Sequence, residues 1–286
     1  MVQVFGNRTA ARILRGGALL FLGMVASLAG QEFEPVNAEE FAALVGTDAS
    51  RITLLAEPLA SSEGPAWSPA DGGTLFFSQI MGDEVSRWSA ERGLQPAHSG
   101  MRRPNGNAID REGRLLTCEG GSQRVTRTEL DGAVKVLVDA HAGKPLNSPN
   151  DITVRSDGTI WFTDPWSPRR PIENRPQAGS FVYRFDPSTR ELSPVVTTLD
   201  FPNGLCFSPD EKTLYVASCG PPKVGIWAYT VAEDGKLSNE RFLTNLRGGG
   251  VPDGIRCDER GNLYTAGDPG VYLFNPEGAL ICRILL

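Results

Sequence analysis

The chain has 286 residues, 40% of them hydrophobic, with 32 Gly, 21 Pro and a formal net charge of −6. That length suits one large domain or two small ones, and the apolar content is enough to fill a core, so a disordered or fibrous chain is excluded. The acidic balance argues against nucleic acid or an anionic membrane as partner and suits a site that holds a cation.

Residues 1–29 read as a signal peptide. Arg8, Arg12 and Arg15 precede the apolar run ALLFLGMVASLAG, and Ser27 and Ala29 stand at −3 and −1 of a cleavage position. The run is short for a bilayer span, so the expected location is periplasmic or secreted, with cleavage near Ala29 and no membrane contact afterwards. Residues 30–50 form a lead-in, in which AEEFAALVG at 38–46 carries a short helical period. From residue 51 to 286 the pattern is β, beginning with RITLLAEPL at 51–59.

This β region repeats. EGPAWSPADGGTLFFS from Glu63, NGNAIDREGRLLTCE from Asn105, NDITVRSDGTIWFTD from Asn150, NGLCFSPDEKTLYVAS from Asn203 and DGIRCDERGNLYTAG from Asp253 are relatives. Each opens on a side-chain oxygen and has an apolar residue fifth (Trp67, Ile109, Val154, Phe207, Cys257). An Asp/Gly-rich turn and an apolar strand follow. The starts lie 42, 45, 53 and 50 residues apart, with further strand pairs such as RVTRTELDGAVKVLVD and SFVYRFDPSTRELSPVV between them. Four short strands per period of 40–50 residues is the signature of a β-propeller.

The first strand of each blade lines the channel of a propeller, so Glu63, Asn105, Asn150, Asn203 and Asp253 should converge at one end of it. Carboxylates and amide carbonyls are the ligands of a hard cation, and the set contains no His or Cys. Any one of these positions alone reads as a turn signal, because Asn-Gly and Asp-Gly favour hairpins. Every unit, however, carries its own hairpin turn a few residues later. The two histidines, His98 and His141, lie in loop-like stretches, and a dyad would need both at the channel mouth. The Pro/Arg-rich segment at 164–180 is a long irregular connection, read either as a cover over the mouth or as an inert surface loop. The five cysteines show no metal spacing and read as free, buried thiols.

At EGPAW, LNSPNDITVRSDGTIWFTDP, FPNGLCFSPDEKTLYVA and VPDGIRCDERGNLY the chain resembles the gluconolactonase and regucalcin (senescence marker protein) family of six-bladed propellers over residues 50–283. That resemblance implies a Ca²⁺ site, with Zn²⁺ or Mg²⁺ as alternatives, on Glu63, Asn150, Asn203 and Asp253. It also implies substrate contacts from Arg103 and Asn105, Asp253 as the catalytic base or nucleophile, and a sugar lactone as substrate. Asp151, beside Asn150, is a further substrate contact and the alternative base. The competing functions are a phosphotriesterase-like hydrolase, a non-catalytic calcium-binding propeller and an inactive fragment; oligomeric state is not legible.

Five channel motifs precede the last residue, Leu286. Either a six-bladed chain lacks its last inner strand, or a ring of five closes with an altered site. The first is favoured, because blade count is set by closure. In that case the edges of the first and fifth blades should stand open.

Overall fold

A computed structural model describes residues 11–14, 33–45, 52–56, 59, 61–166, 171–246 and 250–285. Of the leader assigned to 1–29, only 11–14 are among them, as a strand Ala11–Leu14 paired antiparallel with Ile52–Ala56. The rest of that assignment lies outside the described residues. No described helix is long and apolar enough to cross a membrane.

Each repeat becomes one antiparallel sheet whose strands pair in chain order, so the architecture is an all-β propeller of five blades. Blade 1 runs over 62–99, blade 2 over 104–138, blade 3 over 152–196, blade 4 over 202–244 and blade 5 over 255–285. Their first strands, Ser62–Ser68, Pro104–Ile109, Ile152–Val154, Pro202–Phe207 and Ile255–Cys257, lie against one another in succession. No comparable packing joins the fifth to the first among the described residues. The six blades implied by the resemblance are therefore not reached. The turns after these strands are set by their own side chains. Asp110 Oδ1 accepts the N–H of Glu112 and Arg114, and Asp258 Oδ1 those of Arg260 and Asn262.

The core sits between blades. Leu116, Val125 and Leu146 meet Ile152, Phe162 and Tyr183 between blades 2 and 3; Trp161 and Val182 meet Leu205, Leu214 and Tyr229 between blades 3 and 4; Tyr215 and Ile226 meet Ile255, Tyr272 and Phe274 between blades 4 and 5. Among the described residues the opposite face of blade 5 meets no further blade. It is covered by the lead-in instead: Phe33 and Phe41 bury against Val271, Leu273, Ile281 and Ile284.

For blade 5 this corrects the expectation of an open edge. The helix anticipated in the lead-in forms at Ala38–Val45, with the Asn37 carboxamide accepting the Glu40 N–H at its start and Arg260 Nη1 donating to Ala43 O near its end. The strand that adds to the C-terminal sheet is Phe33–Pro35, paired with the last strand Leu280–Leu285, while Ile52–Ala56 pairs with Ala11–Leu14. Leu59 caps the outer face of blade 1 against Leu75 and Phe77. The physical reason is that both faces are apolar, and burying them outweighs leaving the lead-in extended in water.

Candidate functional site

The repeat motifs stand side by side, with the second residue of the first, second and fourth pressed onto the next blade. At Gly64, with φ +54°, an added Cβ would lie 2.2 Å from Asn105 O, and at Gly106 one would lie 2.5 Å from Asp151 Cα. At Gly204 it would lie 2.5 Å from Asp253 O. Gly106 N–H also donates to Asn150 O (2.6 Å), and Thr163 Oγ1 donates to Asn203 O (2.7 Å). The Glu63-Gly64, Asn105-Gly106 and Asn203-Gly204 pairs are thus not hairpin turns but sites of close backbone approach. The fifth motif differs: a Cβ on Gly254 would meet nothing within 4 Å. Gly106→Ala should therefore destabilise by about 1–3 kcal/mol through overpacking, while Gly254→Ala should lie within about 0.5 kcal/mol of wild type; thermal melts of the two compare them directly.

Electrostatics link the ends of this arc. Burial pushes the Glu63 carboxyl well above the usual carboxylate range, and Asp253 and then Asp151 push it further. Glu63 of blade 1 therefore feels the charge of Asp253 in blade 5. Asn203 and Asp253 are buried, at 3% and 8% exposure, and Asn105 and Asn150 are half-buried. Among the described residues no group of three or more His, Cys, Asp and Glu side chains is arranged to hold a metal ion. The four residues that the sequence nominates are two carboxylates and two amides, Glu63, Asp253, Asn150 and Asn203. Two crowded carboxylates with neutral oxygen donors suit one hard divalent cation, so the residues fit a Ca²⁺-type ion.

Asp151 answers why blade 3 has Asp where its neighbours have Gly. Its Oδ1 accepts the Ile152 N–H (2.9 Å) and its Oδ2 the Leu205 N–H of blade 4 (3.2 Å). Arg256 of blade 5 grips both oxygens, at 2.8 and 3.1 Å. Asp151 therefore braces three blades. Sequence reading missed Arg256; the one available signal is that it occupies the fourth motif position, filled elsewhere by Ala66, Ala108, Thr153 and Cys206. Arg103 is exposed at φ +47°, its N–H on Asp83 Oδ1. Asn105 presents its carbonyl to Ser78 Oγ and to Asn107 Nδ2, a buried amide that also donates to Gly64 O.

The turn leading to Asn150 is held from below. Asp164, fully buried, accepts the N–H of Asn147 (2.9 Å) and Ser148 (2.7 Å). Asn147 Nδ2 donates to Asp164 O and Gly179 O, and Gln177 Nε2 donates to the carbonyls of His141, Lys144 and Pro145. The described part of the 164–180 connection is thus stapled to the 140–149 loop; residues 167–170 lie outside the description. Burial pushes the Asp164 carboxyl up to about 7 against the opposing Asn147 and Ser148 N–H groups. Its unfolded value is 3.8, so the native state holds the proton more tightly and loses stability as pH rises from 3.8 towards 7, with no further change above. Melting wild type and Asp164→Asn in chelator at pH values across this window should show wild type losing ground to the variant as pH rises.

His98 belongs to the outermost strand of blade 1, and the His141 ring rests 5.0 Å from Tyr183, so they form no dyad at the axis. The described cysteines are free thiols, three buried and two half-buried. One of the latter, Cys219, touches the site, with Asn203 Nδ2 and Pro252 O as its partners. Burial, with Asp253 second, pushes its thiol up to about 11, so it stays protonated at neutral pH.

A family model described as the SMP-30/Gluconolactonase/LRE-like region matches residues 61–286. The gluconolactonase of Zymomonas mobilis is 29% identical over 251 residues, covering 79% of this chain and 70% of that protein. Regucalcin of Xenopus laevis is 31% identical over 216 residues, 74% of this chain and 70% of its own. Among solved structures, a gluconolactonase from Xanthomonas campestris superposes with a TM-score of 0.79 at 37% identity, covering 88% of this chain and 84% of that one.

Proposed function

Because the chain belongs to the SMP-30/gluconolactonase/LRE-like family, we propose that its axial site opens a lactone ring, with a sugar lactone of the gluconolactone type as substrate. The chain is a lactonase by this membership. The site assignment is supported by the succession of the five first strands against one another, with Asp253 of blade 5 raising the Glu63 carboxyl of blade 1.

In this reading Glu63, Asn150, Asn203 and Asp253 hold a divalent cation, Ca²⁺ in the first instance. When bound, that ion polarises the lactone carbonyl and offsets the negative charge that develops on its oxygen. The rest is the work of the chain's own groups. Asp253 takes the proton of the attacking water; its backbone is fixed by an N–H bond to Ala266 O (2.9 Å). The two neutral amides contribute oxygens without adding charge, so the carboxylate pair alone balances a dication. Arg103 and Asn105 contact the hydroxyls of the sugar ring, and Asp151 acts on the site through Arg256. Export, with cleavage near Ala29, is part of the proposal and rests on the pattern at residues 8–30.

Chelation tests it. Gluconolactone opening by protein stripped with EDTA and dialysed should fall at least about a hundredfold and return on adding Ca²⁺. A rate untouched by stripping would sink the reading.

A further inference from the structure

We propose that Cys219 is a positioning residue for the cation site, its sulfur turning the Asn203 carboxamide so that the oxygen faces the axis. The inference rests on the cation reading above. Cys219 follows the second strand of blade 4, Thr213–Ser218, and its own N–H is tied to Phe201 O (3.0 Å). Its Sγ accepts a hydrogen bond from Asn203 Nδ2 at 3.5 Å and donates its own hydrogen to Pro252 O at 2.9 Å. One thiol therefore touches the candidate ligand of blade 4 and the peptide immediately before the candidate ligand of blade 5.

The amide is planar, with its nitrogen and oxygen on opposite edges. Holding Nδ2 against sulfur leaves Oδ1 for the channel, the orientation a hard cation needs. A flipped amide would turn two N–H donors towards the ion. It would also set its oxygen against a thiol whose hydrogen is already given to Pro252 O. Asn203 is only 3% exposed, so solvent does not compete to fix the amide. Sulfur is large enough to reach both partners from one side chain, and a serine hydroxyl keeps the same donor and acceptor roles at shorter reach.

The test is calorimetric titration of Ca²⁺ into metal-free wild type, Cys219→Ser, Cys219→Ala and Cys219→Val. Serine should bind within about threefold of wild type, and alanine and valine should bind about tenfold more weakly, the scale of one lost orienting hydrogen bond. Wild-type affinity in alanine and valine, or serine no better than alanine, overturns the proposal. Wild type that binds no Ca²⁺ removes the cation reading itself, which separates the two failures. Should the variants not fold, iodoacetamide labelling of wild-type Cys219, followed on its peptide, serves instead. Ca²⁺ should slow it about tenfold, because the ion locks Asn203 and Pro252 around the sulfur; equal labelling with and without Ca²⁺ overturns the proposal.

Discussion

Asp253→Ala is expected to lower the rate of lactone opening by about a thousandfold, combining loss of a base with loss of a cation ligand. Asp253→Asn separates the two roles. Its amide keeps an oxygen for the ion but takes no proton, so Ca²⁺ should still bind while kcat stays low and KM moves little. Glu63→Gln should behave differently. Burial and the nearby Asp253 disfavour the charged form of Glu63, so a neutral amide there removes that cost in the metal-free protein, raising its melting temperature while weakening Ca²⁺ binding. Opposite movement of metal-free stability and affinity is a signature that a purely structural carboxylate would not produce. Steady-state kinetics with calorimetry on the three variants reads both quantities. An Asp253→Ala protein with near-normal kcat would end the catalytic assignment.

The second large effect concerns the brace beneath the site. Arg256→Met leaves the Asp151 carboxylate, only 4% exposed, without its counter-charge. Breaking such a pair costs about 3–5 kcal/mol when it is fully buried. The Arg256 side chain is 31% exposed, so about 3 kcal/mol is the better expectation, or a melting point roughly 6–10 °C lower. Asp151→Asn in the same protein removes the orphaned charge and should restore more than half of the loss. Its amide keeps one oxygen, for either the Ile152 N–H or the Leu205 N–H, and gives up the other bond, so the recovery stays incomplete. A double variant as unstable as Arg256→Met would show that Arg256 acts by packing alone and not by charge.

Much of this was legible before any coordinates. The spacing of Glu63, Asn105, Asn150, Asn203 and Asp253 carries the blade count, because each blade repeats one strand order and one turn. The neighbouring glycines were ambiguous on paper, since Asn-Gly marks a hairpin as readily as a crowded backbone. Only the distance from Gly106 to Asp151 Cα decides between them. Arg256 was hidden for a different reason: its partner lies 105 residues earlier, and no local period links a residue of blade 5 to one of blade 3. Cys219 was hidden because a small thiol after an apolar strand looks like filler. The lead-in misled in part. Its helix was visible in AEEFAALV, but that Phe33 and Phe41 would cover blade 5 depends on a face created only once the last strands have paired.

The account stands on one claim: oxygens from blades 1, 3, 4 and 5 gather around a single divalent ion. Calorimetric titration of Ca²⁺ into chelator-stripped protein, wild type beside Glu63→Gln/Asp253→Asn, tests it most directly. One ion per chain in wild type, and binding lost in the double variant, is the predicted result. No binding in wild type, or binding indifferent to both substitutions, would contradict it.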